Sequence, residues 1–281
     1  MPDSNPLGSL IAILAAATWG TGDFMGGLAT RKNSPYQVVA LVSLSGFVIL
    51  LGAMLLRGEV WPTSQDTLWA VAASLSGTIG VAALYRGLAT SQAALVAPTS
   101  SVVGVTIPVL VSTITTGPPS LEKWVGMAIG VLGIWLVSSS AHSRGSENKS
   151  ALLLAVLAGL GFGGFFTLIA QVEHGTLFAP LVVSKITSLV FALIILRLQR
   201  ISLPPLRTNR LALVAGLFDA SGNVFYLLAT QLTRLEFAAV LSSMAPAMTV
   251  LLASLVTKQR VLTIQKIGVA ICLAAITLIV I

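Results

Sequence analysis

Asp219, Asn223 and Tyr226 stand at i, i+4 and i+7. On a helix that spacing stacks a carboxylate, an amide and a phenol on one face. The stretch around them is apolar, and a charge near the centre of a membrane span costs at least about 2.5–3.5 kcal/mol on insertion scales, so such a residue faces a cavity or a partner. Asp23 poses the same question one helical turn after Trp19, so both point the same way. Gly20, Gly22, Gly26 and Gly27 surround it and would admit a neighbouring helix or a ligand. Its other reading is a hydrated or helix-capping acid near the interface. Arg86 either snorkels to water or pairs with Asp23 or Asp219 as a gate. Lys185 has the same two readings, with the structural one favoured. Trp19, Tyr85, Phe162, Phe165, Phe166 and Tyr226 would line an apolar pocket for a flat or amphiphilic ligand, or simply pack. Trp61, Trp69, Trp124 and Trp135 fit interfacial anchors.

Pro98, Pro108 and Pro246 lie inside apolar stretches, where each removes a helix hydrogen bond and frees a carbonyl, which makes them candidate hinges or helix breaks. Ser100, Ser101, Ser242 and Ser243 sit beside them and could bond the freed backbone or a substrate, with packing the commonest role. Enzyme chemistry finds no footing. Paired His and carboxylates, zinc-like spacing and a phosphate loop are missing, and His142 and His174 fall outside the spans. Gly159-Leu160-Gly161-Phe162-Gly163-Gly164 fits a glycine-rich nucleotide motif only with relaxed spacing and reads as close packing. No metal or other cofactor is expected. Cys272 is the single cysteine, so no intramolecular disulfide forms.

The elements that position these residues follow from composition. The chain is 56% hydrophobic and 9% charged, against about a quarter charged in soluble domains. Lipid is the solvent that accepts such a surface, provided each span satisfies its own backbone, which favours helices. Ten stretches approach the roughly 20 residues needed to cross a bilayer. They are Leu7 to Leu28, Tyr36 to Leu56, Thr67 to Ala89, Ala93 to Thr116 and Leu121 to Ser139, then Ala151 to Ala170, Leu177 to Leu196, Leu211 to Gln231, Phe237 to Thr257 and Leu262 to Ile281. Runs such as Leu152 to Leu160 do not alternate, which argues against a barrel. The first span lacks a basic leader and a cleavage site and is expected to be retained.

The halves repeat. Shifted by about 143, Leu10, Ala12, Leu14, Ala15 and Gly20 meet identical residues and Trp19 meets Phe162. Shifts of about 140 and 142 pair Leu88-Ala89-Thr90 with Leu228-Ala229-Thr230 and Gly126, Ala128, Ile129, Ile134 and Leu136 with identical residues near the C-terminus. Five spans per half is an odd number, so the second half enters from the opposite side: an all-α membrane protein of ten transmembrane helices in two inverted five-helix repeats. Residues 1–140 form the first, 141–149 a connecting loop and 150–281 the second.

The pI near 10.1 reports topology rather than nucleic acid. Arg31, Lys32, Arg144, Lys149, Arg197, Arg200, Arg207, Arg210, Lys258, Arg260 and Lys266 fall to one face, against Arg57, Lys123 and Arg234 on the other. The richer face is expected in the cytoplasm, leaving both termini on the non-cytoplasmic side.

The ten spans, the repeat, Trp19-Gly20, the run Ala82-Ala83-Leu84-Tyr85-Arg86-Gly87-Leu88-Ala89 leading to Val96-Ala97-Pro98, and Ala245-Pro246 with Gly268 beyond resemble the drug/metabolite transporter superfamily, and within it the EamA-type ten-helix exporters. The resemblance covers nearly the whole chain. It implies a central cavity lined chiefly by spans 1, 3, 4, 6, 8 and 9, and export of metabolites, amino acids or drug-like amines by alternating access across a bacterial inner membrane. Gln259 stands where such proteins often carry an acid in the last loop, and Lys185 corresponds to a basic residue often found in span 7. The partners expected are the lipid bilayer and a small-molecule substrate, for a monomer or a homodimer. Protons would most simply couple through Asp23 or Asp219, but passive facilitation fits equally, and a channel or a non-transporting receptor is the alternative.

Overall fold

The computed structural model describes residues 5–89, 93–138, 149–258 and 261–280, among which the regular elements are helical. The side chains of Tyr85 and Pro98, and His142, Arg144, Gln259 and Arg260 entirely, lie outside the described residues. The first half runs α1 (Pro6–Ala29), α2 (Pro35–Arg57), α3 (Ser64–Ala89), α4 (Ala93–Thr116) and α5 (Leu121–Ser138). The second runs α6 (Lys149–Ile169), α7 (Phe178–Leu198), α8 (Arg210–Leu232), α9 (Leu235–Ser242), α10 (Ala245–Thr257) and α11 (Thr263–Val280). Ten helical segments are long and apolar enough to cross a membrane, with α9 and α10 together making one of them.

Local chemistry sets the ends. Pro6 and Pro35 occupy the first turns of α1 and α2, where no N–H is needed. Ser34 and Gln37 close a capping box on α2, and Gly58, at φ 68°, ends it in the left-handed conformation that only glycine adopts cheaply. Other caps come from the opposite half. Glu59, just past α2, accepts the N–H groups of Leu177, Phe178 and Ala179 at the start of α7. Lys123 at the start of α5 donates to the Ile279 carbonyl at the end of α11 (3.1 Å).

These ties reveal the orientation of the halves. The start of α7 meets the end of α2, and Gln37 at the start of α2 reaches the Ser202 carbonyl beyond α7, so the two run antiparallel. The pair α5 and α11 does likewise, through Lys123 to Ile279 at one end and Gln265 to Val137 at the other. Packing continues in a closed order: α1 against α8, then α2, α7, α3, α6, α4, and through α9 and α10 back to α1. The α5–α11 pair closes behind α4 and α10. Exchanging the halves maps this order onto itself, as an inverted repeat requires.

Small residues make the crossings tight, as is usual where lipid supplies no hydrophobic drive between helices. A Cβ on Gly161 would strike Gly80, and one on Gly159 would strike Val103. The glycine-rich run 159–164 is therefore helix packing on α3 and α4. The corresponding place on the other side of the repeat is different: Gly222 of α8 carries the indole of Trp19. Gly20 and Gly22 of α1 abut α10 and α8 as expected, but Gly26 has only Val38 at 4.0 Å and Gly27 has nothing near it.

Two readings of the prolines are corrected. Span 9 is two helices, α9 and α10, separated at Ser243 and Met244. Pro246 lies in the first turn of α10, so the Ser242 carbonyl loses its intrahelical donor while the proline itself costs α10 nothing. By contrast α4 runs unbroken through Pro98 and Pro108. There α6 lies directly against it, with Phe162 on Gly104 and Gly163 against Ile107, a contact that holds the helix in line.

Candidate functional site

Exposure separates the two sides of α1. Leu7, Leu10 and Leu14 are exposed apolar side chains on the outer, lipid-facing side. Asp23 is exposed as well, but nine residues at about 100° each put it on the opposite side of α1 from Leu14. It therefore points inward, between the Gly20 contact with α10 and the Gly22 contact with α8. Among the described residues its carboxylate has no hydrogen-bond or ion-pair partner. An exposed acid on an inward face needs open space in front of it.

Next to that space Asp219 of α8 binds the ammonium of Lys185 of α7. The lysine side chain is 10% exposed and that of Asp219 31%. The methylenes of Lys185 pass over Gly46 of α2, whose lacking side chain leaves the slot they occupy. Lys185 is thus largely covered between α2 and α8, with Asp219 the more exposed partner of the pair. Lys185, for which the sequence favours a structural role, is the partner of that site's central acid. Two signals pointed to it: an unexplained charge in span 7, and an acid deep in span 8, more than two turns from Arg210 at that helix's end.

The rest of the predicted face holds the helices together. Asn223 donates to the backbone carbonyl of Asp219 (2.7 Å), and Tyr226, fully buried, donates its hydroxyl to the Phe166 carbonyl of α6 (3.0 Å). Trp19, Phe166 and Tyr226 form one aromatic cluster, with centroids 5.7 Å apart for Trp19–Phe166, 5.5 Å for Trp19–Tyr226 and 5.0 Å for Phe166–Tyr226. Phe165 joins through Phe166 and packs on Gly77 of α3; Phe162 lies on Gly104 of α4. The cluster spans the interior from α1 and α8 to α6, one turn from Asp23. Ser242, fully buried beside the break, donates to the Ala12 carbonyl, and Thr249 donates to that of Gly20, tying α1 to both sides of the break.

Arg86 is not brought to either acid as a gate. It is exposed and falls on the side of α3 that carries exposed Leu68, Leu75 and Ile79, so its chain runs along the outer surface near the helix end, as a snorkelling arginine does. Among the tryptophans, Trp61 and Trp135 are exposed, whereas Trp69 and Trp124 pack against the core.

A second charged group escaped the sequence reading. Glu236, in the first turn of α9, is completely buried. It accepts from Ser112 of α4 and pairs with Arg234, which also donates to the Gly117 carbonyl beyond α4. Lying at the edge of an apolar stretch, it carried no mark of burial in the sequence. The network fastens α4 to the α8–α9 turn at the end of the bundle that holds the start of α1.

Ten apolar helices in inverted repeat, closed around membrane-embedded charges, define a polytopic membrane protein with a transporter scaffold. The chain belongs to the EamA-like transporter family, which matches it over residues 6–139 and again over 149–281, and so to the drug/metabolite transporter superfamily. Among solved structures, one crystal structure of a protein aligns with a TM-score of 0.77 over 98% of this chain and 96% of the other, at 19% identity. That likeness concerns the fold. No curated protein matches the chain.

Proposed function

We propose that the protein is a secondary transporter that exports a small solute by alternating access, with the substrate held in the interior between α1, α6 and α8. The observation that carries this reading is Asp23, an unpaired, exposed carboxylate on the inward side of α1. An acid in that position is costly in lipid and gains its place by meeting a ligand or an ion. Alternation needs one end of the bundle closed while the other opens. The Glu236–Arg234–Ser112 network at one end, and the break between α9 and α10 beside α1, supply a fastening and a pivot for that motion. Its place is a bacterial cytoplasmic membrane, and the loop charges favour both termini outside. Protons are the coupling ion that Asp23 would serve, and the working unit is a monomer or a homodimer.

The test is flux. Purified protein in proteoliposomes, screened against amino acids, polyamines, nucleosides and cationic aromatic compounds, is expected to give saturable uptake that Asp219→Leu abolishes. Binding without flux would identify a receptor instead, and conductance that fails to saturate would identify a channel.

A further inference from the structure

The charges of the interior do not balance. Asp219 is paired with Lys185, whose side chain is nearly covered while that of Asp219 is the more exposed of the two. Arg86, in the last turn of α3, lies on the outer side of that helix. Glu236 is closed off with Arg234 at one end of the bundle. Among the described residues of the interior, Asp23 is the acid that remains exposed with no cation against it. Among the described residues the interior therefore offers a solute one unpaired carboxylate, and within one helical turn of it the partly exposed rings of Trp19 and Phe166, which pack on the buried Tyr226. Carboxylate and ring faces attract the same kind of group, since the face of an aromatic ring is the negative end of its quadrupole.

We infer that the transported solute is an organic monocation with an apolar or aromatic body, and that Asp23 is the residue that sets this charge selectivity. The inference rests on the transport reading for its site, but it makes a claim about charge that binding alone can test. A zwitterion would need an available cation for its carboxylate, and Lys185 is engaged. An anion would meet Asp23 directly. Desolvating a cation in this interior is offset by ion pairing with Asp23 and by ring contact, whereas neither compensates an anion.

The probes are three membrane-impermeant compounds of similar size: benzyltrimethylammonium, phenylalanine and benzenesulfonate. Calorimetric binding to the purified full-length protein and uptake into proteoliposomes are measured for each. The wild type is expected to bind and move benzyltrimethylammonium in preference to the other two. Asp23→Asn should weaken its binding at least tenfold with an unchanged melting temperature, and Asp23→Glu should restore most of it. Asp219→Asn, which leaves Lys185 uncompensated, should weaken cation binding and raise that of benzenesulfonate. Saturable uptake of phenylalanine or benzenesulfonate in preference to the cation would overturn the inference while supporting transport. Cation binding that depends on Asp23 without any flux would support the inference and sink the transport reading. Absence of cation binding, or equal binding by wild type and Asp23→Asn, would overturn the inference.

Discussion

A lysine enclosed among helices in lipid keeps its charge only beside an acid, and Lys185 meets that condition through Asp219. Removing one partner of a buried ion pair leaves the other uncompensated and costs about 3–5 kcal/mol in soluble proteins. Asp219, partly exposed, places this pair near the lower end of that range. Lys185→Met is therefore expected to lower the thermal stability of the detergent-solubilised protein by about 3 kcal/mol. The double variant Lys185→Met/Asp219→Asn should recover most of the loss. Size-exclusion thermostability reads both; a double variant as unstable as the single one would show that packing over Gly46, and not charge, is what Lys185 supplies. The two acids were legible in the sequence because a charge inside an apolar run is conspicuous. Their inequality was not, for the pair joins residues on different helices and depends on a gap left by Gly46 on a third.

At the scale of the helix, apolar length fixed nearly all the spans, because crossing a bilayer demands a run that composition alone reveals. The exception is instructive. Pro98, Pro108 and Pro246 look alike in sequence, yet only Pro246 accompanies a break. The difference lies in what packs alongside, namely the glycine-rich face of α6 against α4, and that is a property of two helices together. The caps supplied across halves, Glu59 on α7 and Lys123 on α11, were invisible for the same reason. If the break between α9 and α10 serves as a pivot, Pro246→Ala, which returns a donor to the Ser242 carbonyl, should slow transport severalfold while leaving the melting temperature equal or raised. An unchanged turnover would remove the break from the mechanism. At the α3–α6 crossing the expectation is opposite in kind: Gly161→Leu forces apart two backbones in contact and should destabilise the fold by at least the roughly 1–3 kcal/mol of an overpacked core, seen as lost monodisperse protein on size exclusion.

For the molecule as a whole, the inverted repeat joins topology to charge. The polar ties divide between the two ends of the bundle. Arg57, Glu59, Lys123, Arg234 and Glu236 gather at the end where α1 begins, while Arg31, Lys32, Arg197, Arg200, Arg207 and Arg210 gather at the other. At the first end the basic groups are engaged: Arg57 with Glu59, Lys123 with the Ile279 carbonyl, and Arg234 with Glu236 and Gly117. At the second, Arg197 and Arg200 are exposed with no acid paired to them among the described residues, the charge asymmetry on which the proposed cytoplasmic placement of that face rests. The native cysteine, Cys272, is buried against Gly133 and can be replaced by serine or alanine to give a cysteine-free background. A single cysteine placed at Thr63, in the turn between α2 and α3, should then react with a membrane-impermeant maleimide on intact cells. One placed at Ser202, in the loop between α7 and α8, should react only after permeabilisation. Because consecutive spans reverse direction, the same pair of sites tests the repeat and the orientation together. Labelling of both on intact cells would contradict the ten-span path, and the reverse pattern would keep that path but turn the molecule over, moving the Glu236–Arg234 fastening to the cytoplasmic face.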